Sequence, residues 1–251
     1  MNSILIVSPV RAASTWLNLT MAKHLNLYNV GESLCKISPA LLMDYAGVNN
    51  RIVEGGQQQS HFINSMKDMF DQDFRKLSKE DQMKKLKSTP FIAKFTPWDL
   101  YDANDKQYAD TYGYGYDFDK FREDVKPLTT IFLYRRNLVE HFISFINVHR
   151  TGIMNTTSPF INYQRPKMKY LESEKEYYLG HKHIWEKCYK EHGHKFDHTI
   201  TYEELFKMDE LCGVPLKQYH DQFTLKLNHY TKEELDEARE LTGLEEDYEI
   251  C

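Results

Sequence analysis

Ser3-Ile-Leu-Ile-Val-Ser-Pro-Val-Arg-Ala-Ala-Ser-Thr-Trp-Leu17 is a short apolar run that stops at small, hydroxyl-bearing residues around one arginine and then takes on helical character. The pattern reads as a strand, a phosphate-binding loop and a helix N-terminus. A helix start leaves backbone N–H groups without intrahelical partners and carries partial positive charge, so it receives phosphate readily. Arg11, Ser14 and Thr15 add a full charge and further donors. The G-x-x-x-x-G-K-[ST] spacing of a nucleotide-triphosphatase loop is absent, and no glycine stands between Ser3 and Gly31, which disfavours a Mg-ATP reading. Taken alone, the stretch fits an ordinary strand-to-helix turn equally well, so its meaning depends on the rest of the chain.

Helical spacing runs from Ser14 to about Tyr28, with Leu17, Met21, Leu25 and Tyr28 on one face, until Asn29-Val-Gly31 breaks it. Residues 90–95 and 128–134 read as buried strands and residues 198–202 as a fourth, leading into Glu203-Glu-Leu-Phe206. Between them, residues 137–149 and 170–191 have helical character, and residues 79–87 read as a solvated helix. Strands alternating with helices imply an α/β fold, here a P-loop-like central parallel sheet flanked by helices. Residues 31–88 are expected to form a helical cap insertion outside that sheet, over the acceptor side. In open parallel sheets ligands bind at the carboxyl ends of the strands, which is where Arg11, Lys94, Arg135 and Arg136 fall.

A chain of 251 residues with 14% aromatics suits one large domain spanning 1–251. Its net charge of −5 and pI near 6.1 lack the basic field that nucleic-acid binding normally uses. No basic segment followed by a long apolar stretch opens the sequence, and no apolar run approaches the ~18 residues of a membrane span. A cytoplasmic protein with no membrane or nucleic-acid partner is therefore expected. Cys35, Cys188, Cys212 and Cys251 are scattered, which suggests neither a zinc site nor a disulfide framework. His181 and His183, like His192 and His194, are two apart and point away from each other on a helix, so no metal is expected. Tyr112, Tyr114 and Tyr116 form an aromatic loop that either stacks on a sugar or packs on its own domain. The acidic stretch 245–249 reads as a solvated end.

A second phosphate-type site comes from Tyr134-Arg-Arg-Asn-Leu-Val-Glu-His-Phe-Ile-Ser144-Phe145. A helix beginning after Arg136 places Ser144 about two turns on, and a guanidinium offers phosphate a planar fork of donors. With these motifs the chain resembles the PAPS-dependent sulfotransferases, whose donor is 3′-phosphoadenosine 5′-phosphosulfate. Val10-Arg-Ala-Ala-Ser-Thr-Trp-Leu17 is similar to their Pro-[Arg/Lys]-Ser-Gly-[Ser/Thr]-Thr-Trp-Leu motif, with Pro9 displaced by one position. Arg136-Asn137 and Ser144 reproduce the spacing of their Arg-[Asp/Asn]-Pro…Ser motif, with Leu138 in place of proline. Phe91-Ile-Ala-Lys-Phe-Thr-Pro97 is similar to their lysine-bearing strand, and Tyr202-Glu-Glu-Leu205 to their Tyr-Glu-[Asp/Glu]-Leu segment. The four landmarks keep their order to about Pro215. The double arginine and Gly31-Glu32 look closest to the bacterial and phage-type branch that includes trehalose sulfotransferases.

The resemblance implies transfer of a sulfuryl group to an acceptor hydroxyl, on a carbohydrate or small molecule, with no metal. It implies that Arg11, with Ala12, Ala13, Ser14 and Thr15, holds the 5′-phosphosulfate, that Arg136 and Ser144 bind the 3′-phosphate with Arg135 in support, and that Tyr202 joins the donor site. Lys94 contacts the transferring group or serves a structural salt bridge. Trp16 reads more simply as core than as a donor contact. A base must take the acceptor proton. The cytosolic branch carries Lys-Thr-His where this chain has Lys94-Phe95-Thr96, and the glutamate of the trehalose branch corresponds to Cys35. Glu32 is the nearest carboxylate and the chosen candidate, with Glu54, His61 and Asp99 behind it. The Arg-Lys-Gly segment of the cytosolic branch is missing. A nucleotide kinase-like phosphoryl transferase and a non-catalytic nucleotide- or glycan-binding relative remain as alternatives.

Overall fold

The computed structural model describes residues 2–31, 71–97, 118–151, 169–220 and 230–250. The opening apolar run becomes β1 (Ser3–Val7), in which every residue is buried. The loop after it leads into α1 (Ser14–Leu25), followed by β2 (Tyr28–Gly31). Two short helices, α2 (Gln72–Lys76) and α3 (Lys79–Ser88), precede β3 (Phe91–Phe95). Then come α4 (Phe118–Asp124), β4 (Leu128–Tyr134), α5 (Leu138–Thr151), α6 (Glu172–His192) and β5 (His198–Thr201). The described chain continues through α7 (Tyr202–Leu205), the antiparallel pair β6 (Glu210–Leu211) and β7 (Val214–Pro215), α8 (Lys217–His220) and α9 (Lys232–Thr242).

The central sheet has five parallel strands in the order β2-β3-β1-β4-β5. Side chains alternate across it, so each apolar run supplies both faces. Leu5, Val7, Phe91, Ala93, Phe95, Phe132 and Tyr134 pack on one side with residues of α3, α4 and α6. Ile4, Ile6, Ile92, Ile131, Leu133 and Ile200 pack on the other against Trp16, Leu17 and Met21 of α1. Trp16 is therefore core, as its chemistry suggested. A third cluster joins α5, α6 and α9 through Phe142, Ile143, Phe145, Ile146, Tyr178 and Ala238.

One expectation needs correction. The first helix ends at Leu25, where Asn26 adopts the left-handed conformation and its N–H bonds to the Ala22 carbonyl. Tyr28 belongs to β2, so the sheet has five strands where four were read. Asparagine tolerates that conformation and stops the helix, although the i, i+4 spacing of apolar residues continues past it. Of the expected cap, residues 31–88, Gly31 closes β2 and residues 71–88 carry α2 and α3, from which Phe74 and Leu86 are buried with the strands of the first face. Residues 32–70 lie outside the described residues.

Candidate functional site

β1 occupies the centre of the sheet, with β3 and β4 on either side; the chain runs from β1 to β2 at one edge, returns through β3, and then crosses β1 to reach β4 and β5 on the other side. Its carboxyl end is thus the switch point at which parallel sheets receive ligands. The loop that begins there is pinned to β3 by a bond from the Ser8 N–H to the Phe95 carbonyl, 3.0 Å. Arg11 and Ala13 both lie in the left-handed region, at φ 72° and 62°. For non-glycine residues each such conformation costs roughly 1–2 kcal/mol and persists only where the surroundings enforce it. The helix that follows has no side-chain cap at Ala13 and no acidic residue in its first turn. Its first turn thus brings no carboxylate of its own to the positive pole, which suits an incoming anion.

Ala13 stands where the resembled motif carries glycine. Ala13→Gly is expected to stabilise the protein by about 1 kcal/mol, because glycine enters the left-handed region without a Cβ penalty. The midpoint of urea unfolding measures this, and a lower midpoint would contradict it.

The two candidate phosphate motifs meet. Arg11 Nε donates to Ser144 Oγ on α5 at 3.0 Å. Arg135, 1% exposed, donates from Nη2 to Glu140 Oε2 at 2.7 Å and lies 4.3 Å from the centre of the Tyr202 ring. Burial lowers the Arg11 pKa below the usual arginine value, and the charge of Arg135 pushes it further while Tyr230 and Tyr202 oppose the shift. An anionic ligand would relieve the repulsion between the two guanidiniums. Arg11, Ser14, Thr15, Arg135, Ser144 and Tyr202 therefore belong to one sheet edge. Lys94, 5% exposed, belongs to β3, paired with Ile6 of β1.

Arg136 is engaged differently. Its Nε lies 2.6 Å from Asp247 and its Nη2 2.5 Å from Glu249. The carboxylates of the acidic stretch 245–249 stay solvated, as expected, with the side chains of Asp247 and Glu249 81% and 74% exposed, and two of them pair with Arg136 from that exposed position. Tyr248 anchors it, with its N–H on the Arg136 carbonyl, its hydroxyl on Glu186 and its ring edge-on to Trp185. The start of α5 is closed by the protein's own groups. Glu203 accepts from the Arg136 and Asn137 N–H groups, the Glu245 carbonyl from Leu138, and Asn137 Oδ1 from Glu140. Of the two helix starts read as phosphate sites, the first suits an anion as it stands, and the second presents an arginine that already carries carboxylates.

No family model, curated protein or solved structure matches this chain. The chemistry of the site therefore rests on its own residues. The base candidates Glu32, Glu54, His61 and Asp99 lie outside the described residues, as do Tyr112, Tyr114 and Tyr116. Among the described residues no group of three or more His, Cys, Asp or Glu side chains is arranged to hold a metal, and no helix is long and apolar enough to cross a membrane.

One residue of the site escaped the sequence reading. His141, 2% exposed on α5, has Nε2 2.8 Å from the Val10 carbonyl and Nδ1 3.1 Å from the Tyr178 hydroxyl. Its signal was a histidine three residues before Ser144, within an apolar run, and therefore on the same helix face. Burial pushes its pKa down to about 3, against the Val10 bond and with help from Arg135, Arg11 and His181. Unfolded, the ring titrates near ~6.5. Between those values the unfolded chain binds a proton that the folded chain does not, so stability falls as pH drops from about 6.5 toward 3. Urea unfolding between pH 7 and pH 4 is expected to show that loss, and His141→Gln is expected to reduce its slope by up to one proton. Equal slopes would remove His141 as a source of the acid sensitivity.

Proposed function

We propose that the chain is a PAPS-dependent sulfotransferase acting on an acceptor hydroxyl of a carbohydrate or small molecule. The observation that carries this reading is the Arg11–Ser144 hydrogen bond, because it joins the loop after β1 to the Arg…Ser motif after β4. The donor supplies a sulfuryl group: the acceptor oxygen forms a bond to sulfur, the bond from sulfur to the 5′-phosphate oxygen breaks, and the acceptor proton passes to a base. Arg11 neutralises charge on the departing phosphate, aided by the N-terminal dipole of α1. One such aimed donor is worth about 3 kcal/mol at a transition state. Lys94 acts on the transferring group, and Arg135 supports the phosphates from its stacked position on Tyr202. Arg136 takes the 3′-phosphate in exchange for Asp247 and Glu249. Glu32 is the proposed base, with Glu54, His61 and Asp99 as further candidates. The site needs no metal, and the proposed compartment is the cytoplasm.

The carboxylates on Arg136 favour a second reading, a nucleotide-binding protein with one phosphate site and no transfer. Calorimetric titration with 3′-phosphoadenosine 5′-phosphate against AMP separates the two. Tight binding that needs both the 3′-phosphate and Arg136 supports the sulfotransferase. Equal affinity for both nucleotides supports the second reading, and binding of neither overturns both.

A further inference from the structure

We propose that His141 is a positioning residue for the phosphate loop, holding the Val10 carbonyl toward α5 so that Arg11 keeps its left-handed backbone and the loop keeps its anion-binding shape. The inference rests on the reading of residues 8–15 as a phosphate loop.

The hydrogen-bond partners assign the tautomer. A carbonyl only accepts, so His141 Nε2 carries the proton that binds Val10. In a neutral ring Nδ1 then accepts, and the Tyr178 hydroxyl donates to it. Neutrality follows from the surroundings, since the ring is buried with Arg135, Arg11 and His181 all opposing a further positive charge. Tyr178, 1% exposed on α6, is held in turn by the Phe142 and Phe145 rings at 5.4 and 5.6 Å. Tyrosine, histidine and Val10 carbonyl thus form a chain from α6 through α5 to the peptide that precedes Arg11.

The destination of that chain separates a positioning role from mere satisfaction of a buried polar ring. Val10 immediately precedes the left-handed Arg11, whose side chain is bonded to Ser144. His141 and Ser144 are one turn apart on the same helix, so one face of α5 grips the backbone before Arg11 and the side chain of Arg11 itself. A peptide unit here that rotated freely would present its carbonyl oxygen to the anion in part of its range. Fixing that oxygen on His141 removes those orientations and leaves the strained loop determined from two directions.

The test uses the full chain and two readouts. Amide exchange of residues 10–15 in the ligand-free protein reports the loop, and calorimetry with 3′-phosphoadenosine 5′-phosphate reports the anion site. His141→Phe is expected to speed loop exchange and weaken nucleotide binding by about tenfold each, the scale of one hydrogen bond to a buried group. His141→Gln, which keeps an amide donor, is expected to restore both, and Tyr178→Phe to give a smaller loss in both. Tyr178→Phe decides the matter if His141→Phe does not fold. Loop exchange and affinity unchanged in the folded variants would overturn the proposal. So would exchange raised evenly over the whole chain, which marks a structural role alone. If the unaltered protein binds no nucleotide, the sulfotransferase reading fails, and the loop-exchange pattern alone then decides the positioning role.

Discussion

Arg11→Ala is expected to lower sulfuryl transfer by at least about 100-fold, the usual effect of deleting an aimed donor at developing negative charge. The substitution removes the guanidinium bonded to Ser144 and leaves the left-handed backbone position unrelieved, since alanine shares its Cβ. Arg11→Lys tests charge against geometry. Lysine keeps the cation but loses the planar fork and the Nε donor that reaches Ser144, so its activity is expected to fall between the two. Transfer from the labelled donor to acceptor, followed alongside thermal unfolding, gives the measurement. Near-full transfer by a stably folded Arg11→Ala protein would show that the loop after β1 does not carry the chemistry.

Phe132→Ala is expected to destabilise the protein by about 3–5 kcal/mol, as for other large-to-small changes in a core. Phe132 is completely buried in β4, with Tyr189, Phe196 and Tyr134 rings at 5.0, 5.1 and 6.2 Å. Strands with neighbours on both sides collapse poorly around a missing ring, so most of the cavity is expected to persist. For a chain of this size the loss corresponds to a melting temperature lower by roughly 10 °C. A loss below about 1 kcal/mol would mean that the aromatic layer between the sheet and α6 rearranges freely.

Strands β1, β3 and β4 were legible because each is a short, largely apolar run bounded by loop residues and buried over most of its length, whereas β5, His198-Thr-Ile-Thr201, showed only its β-branched residues. β2 was not legible, since Tyr28-Asn-Val-Gly31 is brief and partly polar and follows a helix whose periodicity runs into it. Arg11 and Ser144 announced themselves by residue type at the ends of elements. His141 could be seen only as a histidine on an apolar face, because its partner Val10 lies 131 residues away in sequence. The pairing of Asp247 and Glu249 with Arg136 was hidden for a related reason: a run of carboxylates looks the same whether water or a guanidinium faces it. Tyr248 is the one residue there whose bulk hinted at an anchor.

The strand order carries a consequence for biosynthesis. β1 has no sequence-local partner: it pairs with residues 91–95 on one edge and with 128–134 on the other. Contacts of such long sequence separation form slowly, because the intervening chain must be ordered first. A nascent chain that has not yet reached β3 therefore holds Ser3-Ile-Leu-Ile-Val7 with both edges unpaired, an apolar, uncharged segment prone to pair with a copy of itself. N-terminal fragments ending before residue 128 should aggregate for the same reason. His141 and Ser144 emerge later still, so the loop after β1 leaves the ribosome well before the residues of α5 to which Val10 and Arg11 bond.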